Sequence, residues 1–128
     1  MTKMGQDKLN DYLGGFSGLS YDGITPIGAI ITGPKDHGAV LGELKNNGFT
    51  EISDNDLELK LAGISGKLAS GEKLFVNLSS EIPVKVFNFF LDITRGKILG
   101  AKVLFVMPAK LYDSYARFDR LITSICRL

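Results

Sequence analysis

Tryptophan is absent from this chain, cysteine and histidine occur once each, and neither sign of charge prevails. With Cys126 the only cysteine and His37 the only histidine, an intrachain disulfide framework is excluded, as is any zinc site built from those ligands within one chain. Lysine and arginine number 15 against 14 aspartates and glutamates, a net charge of +1. Such a balance sets up no long-range field for a polyanion and argues against nucleic acid as a partner. Long apolar runs are also missing. Ile82 to Ile93 is the most lipid-like stretch, yet it is too short to span a bilayer and is broken by Lys85, Asn88 and Asp92, so it reads as a core helix and no membrane role is expected. The first residues lack the apolar centre of a secretory signal, and Thr2 excludes N-myristoylation. The expected compartment is the reducing cytoplasm.

What the chain does have is an ordinary globular composition, 45% hydrophobic and 23% charged over 128 residues. A domain of this length buries about two thirds of its unfolded surface. One domain over residues 1–128, folding without metal, cofactor or disulfide, is the expectation.

The apolar pattern divides this domain into elements. Residues 3–13 form a helix candidate with Leu9, Tyr12 and Leu13 near one face, stopped by Gly14-Gly15; residues 14–26 then read as an irregular connection. Ile27 to Thr32 is short, apolar and bounded by Pro26 and Gly33-Pro34, as a buried strand should be. Next comes a helix with Asp36 as N-cap, Val40, Leu41 and Leu44 as its stripe, and Asn46-Asn47-Gly48 as its left-handed stop. Phe49 to Ser53 is a short strand candidate, and Leu57-Glu58-Leu59-Lys60-Leu61 alternates like a half-buried strand, followed by a turn-rich segment through Gly63, Gly66 and Gly71.

Lys73 to Leu78 is the next buried strand, and Ser79-Ser80 opens a helix with Pro83 in its first turn and an end near Gly96. Val103 to Met107 is apolar on both pleat faces, the mark of a central parallel strand with helices on both sides. Leu111, Tyr115, Phe118, Ile122 and Ile125 recur at spacings of four and three, which favours a final helix. The β-branched Ile122, Thr123 and Ile125 leave an edge strand over the last eight residues as the alternative. Apolar strands joined by helical crossovers define an α/β three-layer sandwich with a mostly parallel sheet and helices on both faces.

The turn after the first strand carries the chemistry worth weighing. Gly33-Pro34-Lys35-Asp36-His37-Gly38 has glycines spaced as in a phosphate-binding loop, but Ala39 and Val40 stand where its lysine and hydroxyl belong. Gly18, Gly23, Gly28, Gly33 and Gly38 also form a ladder at intervals of five through loop, strand and turn, so the spacing is not specific to a ligand. The strand into this loop, the strand Leu74 to Leu78 and the strand Val103 to Met107 together resemble the core of RecA-like P-loop ATPases, including the circadian-clock and recombinase relatives, over roughly residues 24–107. That resemblance implies a shared or degenerate fold without ATPase activity, because the lysine and the hydroxyl are replaced and Asn77-Leu78-Ser79-Ser80 puts neutral residues where an acidic magnesium ligand is usual.

Three functions remain in order of preference. The first is a non-catalytic module that self-associates or binds a protein partner, because the apolar side chains of the Ile82–Thr94 helix outnumber one sheet face and the last helix carries a regular apolar stripe; Phe87 and Phe90 on the former and Tyr115, Phe118 and Ile122 on the latter are its interface candidates. The second is an anion- or nucleotide-binding protein using Gly33, Lys35, Asp36, His37 and Gly38. The third is an enzyme using Asp36 and His37 as an acid–base pair, although capping explains Asp36 with less and no serine or second cysteine is placed by spacing to act with His37. Tyr112, Tyr115, Arg117 and Arg120 mix aromatic and basic groups, but Asp113 and Asp119 interleave and cancel the charge.

Overall fold

The computed structural model describes residues 2–17, 25–53, 57–96, 101–114 and 120–128. Its elements are, in order, α1 (Lys3–Ser17), β1 (Ile27–Thr32), α2 (His37–Asn46), β2 (Thr50–Ser53), α3 (Leu61–Ala69), β3 (Lys73–Asn77), α4 (Val84–Thr94), β4 (Lys102–Pro108), α5 (Ala109–Ser114) and β5 (Ser124–Arg127). All five strands pair in parallel, in the spatial order β2-β3-β4-β1-β5.

Period-two alternation sorts each inner strand between two cores. Ile27, Ala29, Ile31, Leu74, Val76, Val103, Phe105 and Met107 face one side, where Ile64 and Leu68 of α3, Val86, Phe87 and Phe90 of α4, and Leu111 and Tyr112 of α5 close over them. Ile30, Phe75, Leu104 and Val106 face the other side, under Leu9, Leu13 and Phe16 of α1 and Val40 and Leu44 of α2. The chain is therefore the three-layer α/β sandwich that two-sided burial of β4 demands. The layering follows from the direction of travel: α2 carries the chain from β1 to the far edge at β2, and the later connections run back the other way on the opposite face, as crossovers that share one hand require.

Five local expectations differ from the structure. Gly14 and Gly15 lie inside α1, exposed, with nothing within 4 Å of a side-chain position. The burial of Leu13 and Phe16 holds the last turn against their low propensity. Leu57 to Lys60 is a 3₁₀ turn running into α3, not a strand. The apparent alternation hid a helical stripe in which Leu57, Ile64 and Leu68 are buried and Leu61 is half-buried, while Leu59 points out at 84% exposure. Gly63 and Gly66, read as turn markers, occupy the solvent face of α3.

The helix expected from Ser79 begins only at Val84. Pro83 is the N-cap, extended at φ −59°, ψ 153°, and a proline drives the residue before it, here Ile82, out of the helical region, so the helix starts only beyond it. The last residues form β5 rather than a long helix: Thr123 N–H and Oγ1–H both donate to Ile27 O, at 2.7 and 2.9 Å, and Leu128 N–H donates to Ile31 O at 3.0 Å. The preferred helix fails because a parallel edge beside β1 offers these β-branched residues backbone partners. Asp36 stands at the N-cap position of α2 as expected, but its side chain makes no capping hydrogen bond.

Candidate functional site

The chain leaves β1 toward α2 on one face and leaves the neighbouring β4 toward α5 on the other. Such a reversal opens a crevice beyond the carboxyl ends of the strands, where α/β sheets place their ligands. A pocket of about 250 Å³ lies there, lined by Thr32, Gly33 and Pro34 after β1, His37 at the start of α2, Asn77, Leu78 and Ser79 at the end of β3, and Pro108 at the end of β4.

Three of its side chains are locked in one hydrogen-bonded row. Asn77 Nδ2 donates to Glu51 Oε2 at 3.3 Å, which turns its Oδ1 toward the imidazole. His37 Nε2–H then donates to that Oδ1 at 2.8 Å. In the neutral ring this leaves Nδ1 as an acceptor, and Thr32 Oγ1–H donates to it at 2.9 Å. A longer contact of 3.5 Å joins Thr32 Oγ1 to Met107 O. At the outer end Glu51 Oε1 meets Lys45 Nζ at 3.0 Å, a solvent-facing pair whose main effect is to hold the carboxylate in place. The row thus ties β1, α2, β3 and β2 together across the carboxyl edge, and no buried polar side-chain atom among the described residues is left without a partner.

Of the loop residues expected to contact a ligand, Gly33 and His37 line the pocket, while Lys35, Asp36 and Gly38 do not. Lys35 and Gly38 are exposed. Positive φ among the described glycines is confined to Gly48 and Gly71, and a side chain at Gly33 or Gly38 would meet nothing within 4 Å. Neither residue therefore needs to be glycine here, so the spacing that suggested a phosphate cradle is not accompanied by its backbone geometry. Sequence reasoning gives no site role to Thr32 and Glu51, and weighs Asn77 only as a neutral residue where an acidic magnesium ligand is usual. The available signal was a polar residue closing each of two buried strands.

Among the interface candidates, Phe87 and Phe90 are only 5% and 1% exposed and lie inside the chain's own core. Ile122 is half-buried and packs on the same core, whereas Tyr115 and Phe118 fall outside the described residues. Among the described residues, the large apolar side chains left in solvent are Met4, Leu59, Val84 and Ile125, of which Leu59 and Val84 sit on elements that pack together. Cys126 packs under α1, where burial pushes its thiol above the ordinary value against a smaller opposing effect of Lys8. Arg127 turns away to Asp113 at 3.0 Å.

No protein-family model matches the chain, and no curated protein is significantly similar to it in sequence. No helix among the described residues is long and apolar enough to cross a membrane.

Proposed function

We propose that this chain is a small-molecule-binding α/β protein and that the pocket at the carboxyl ends of β1, β3 and β4 is its binding site. The observation that carries this reading is the coincidence of the crevice with a row of fixed polar side chains, Thr32, His37 and Asn77, in an otherwise apolar wall of Pro34, Leu78 and Pro108. At about 250 Å³ the pocket suits a fragment-sized group, below the range that encloses drug-sized ligands. With Lys35 outside its wall the pocket has no cationic lining, so a neutral or singly charged ligand suits it better than a polyphosphate. The strand, turn and helix around Gly33 remain compatible with descent from a RecA-like core that has lost its nucleotide chemistry. A reduced cytoplasmic setting suits the lone buried thiol.

Titration of the labelled protein with small hydroxyl and carbonyl fragments, with ATP and inorganic phosphate in parallel, tests the site. Amide shifts are expected at Gly33, His37, Asn77 and Ser79 with fragments and not with the two phosphates, and Ser79→Trp should suppress them. Fragment shifts scattered over the surface, or absent throughout, would remove the pocket reading.

A second reading, self-association, is favoured by the exposed Leu59 and Val84, which sit on elements that pack together beside the Glu58–Lys85 ion pair of 3.9 Å. Opposite charges flanking an apolar spot let two copies exchange partners across a two-fold axis. Sedimentation equilibrium is expected to show a mass rising above 13.9 kDa with concentration and returning to it in Leu59→Glu. A constant 13.9 kDa across micromolar concentrations ends this reading.

A further inference from the structure

We propose that the pocket acts on its ligand as well as holding it: Thr32 Oγ1 is the nucleophile and His37 the base of an acyl-transfer site for small carboxylic esters. The proposal rests on the pocket reading above and adds a reaction to it. Its basis is the order of groups along the hydrogen-bonded row. A nucleophile becomes reactive when a base within about 2.6–3.2 Å takes its proton and a third group holds that base in the right tautomer. Thr32 Oγ1, His37 Nδ1, His37 Nε2 and Asn77 Oδ1 follow one another at 2.9 and 2.8 Å in that sequence. A hydroxyl, imidazole and amide in this relation have the roles of a hydrolytic triad, which is recognised by geometry and not by chain order.

The outer partners fix the direction of the row. Were the Asn77 amide reversed, its oxygen would face the Glu51 carboxylate and its NH₂ would compete for the proton position at Nε2; the 3.3 Å bond from Nδ2 to Glu51 prevents this. Asn77 and Glu51 are thus positioning residues, and His37 is held with its lone pair on the Thr32 side. Thr32 itself is 2% exposed, so its hydroxyl is reached only through the pocket it lines. Helix geometry leaves the N–H of His37, the first residue of α2 and a residue of the pocket wall, without an intrahelical acceptor, available to developing negative charge at a bound carbonyl.

The chemistry balances without a cofactor. Thr32 Oγ1 bonds to the ester carbonyl carbon as His37 Nδ1 takes the hydroxyl proton. The carbon–oxygen bond to the leaving alcohol breaks, and that proton passes from Nδ1 to the departing alkoxide. Water then attacks the acyl-threonine, giving its proton to Nδ1; the bond to Oγ1 breaks and the proton returns to Oγ1. One ester and one water become one carboxylic acid and one alcohol.

p-Nitrophenyl acetate incubated with the full-length chain provides the test, read by nitrophenolate release and by peptide mapping of acetylated residues. Acetylation of the hydroxyl at position 32 is expected, retained in Thr32→Ser and absent in Thr32→Val. His37→Gln should slow release by about 100-fold or more, the usual share of a general base. Glu51→Gln should lower kcat with KM unchanged, an effect that a merely structural contact would not produce. Acetylation confined to lysines, or release as fast in Thr32→Val as in the native chain, overturns the proposal; because Thr32→Ser keeps the hydroxyl, a folding failure of the valine variant does not leave the matter open. Fragment shifts at the pocket without acetyl-Thr32 retain the binding reading and remove acyl transfer, whereas loss of both removes both.

Discussion

Phe90→Ala is expected to cost about 3–5 kcal/mol of folding stability, the usual loss for a phenylalanine truncated in a close-packed core. Phe90 is 1% exposed and meets Phe105 edge to face, with centroids 5.1 Å apart and planes at 80°, and it also meets Phe89 edge to face at 5.2 Å. Phe105 sits on β4, the middle strand, so the cavity would open where α4 rests on the centre of the sheet. Whole domains are stable by only about 5–15 kcal/mol, which makes this one truncation a large share of the total. Thermal unfolding should fall by on the order of 10–20 °C. Phe90→Leu, which refills most of the space, should lose clearly less. A Phe90→Ala midpoint within a degree or two of the native one would place Phe90 outside the core and return it to the candidates for a partner surface.

Gly28→Ala is the second large effect, and its sign is opposite to what strand propensity alone gives. Alanine or valine normally improves on glycine in a strand interior. At Gly28 a Cβ would collide with the Tyr12 hydroxyl and lie 2.8 Å from Leu104 Cδ2 and 3.0 Å from Phe16 Cε2. Tyr12 crosses this glycine to reach β5, where its hydroxyl shares a 2.8 Å hydrogen bond with Ser124 Oγ. Making room therefore means lifting α1 or breaking its link to the edge strand. Overpacking of this kind costs about 1–3 kcal/mol, and Gly28→Val should cost more than Gly28→Ala. Chemical denaturation measures the loss, and amide exchange should accelerate in α1 and β5 before the rest of the sheet. In the double variant Tyr12→Phe, Gly28→Ala the missing hydroxyl relieves the worst contact, so the two changes should be less harmful together than their sum by at least about 0.5 kcal/mol. Equal or higher stability for Gly28→Ala would show that α1 does not press on β1.

These two positions also show how reading one sequence succeeds and fails. Phe105 was placed correctly because an unbroken apolar run ending at a proline has one economical explanation, a strand covered on both faces. From sequence alone Phe90 reads as interface, because its helix carries more apolar side chains than a flat face accepts. In the folded chain the turn at Leu57 packs on α4 as a second neighbour beside the sheet, while Val84 takes an exposed position. Gly28 looked like one rung of a glycine ladder; its reason for being glycine lies in a tyrosine 16 positions earlier in the chain.

The same division runs through the candidate site. The loop at Gly33 was legible as the turn from a buried strand into a helix, and His37 as its chemical residue. The ligand chemistry expected of Lys35, Asp36 and Gly38 follows from local spacing, and these three residues do not line the pocket. Asn77 reads from sequence only as a missing acid, because its significance depends on its meeting His37 in the folded chain. Distance along the chain hides such a pairing: Thr32 and His37 are five residues apart, but Asn77 is forty beyond His37 and Glu51 comes from the edge strand.

By itself, the sequence determined the layer architecture, the buried strands β1, β3 and β4, the helix after β1 and its stop at Gly48, since each follows from hydrophobic period and local backbone preference acting within a few residues. Tertiary structure alone decided whether Leu57 to Leu61 and the last eight residues were helix or strand, because short apolar runs satisfy either period until a neighbouring surface selects one. It alone also set the strand order, and with it the meeting of Thr32, His37, Asn77 and Glu51 at one edge of the sheet, a contact between distant segments that long-range packing creates and local preference does not encode.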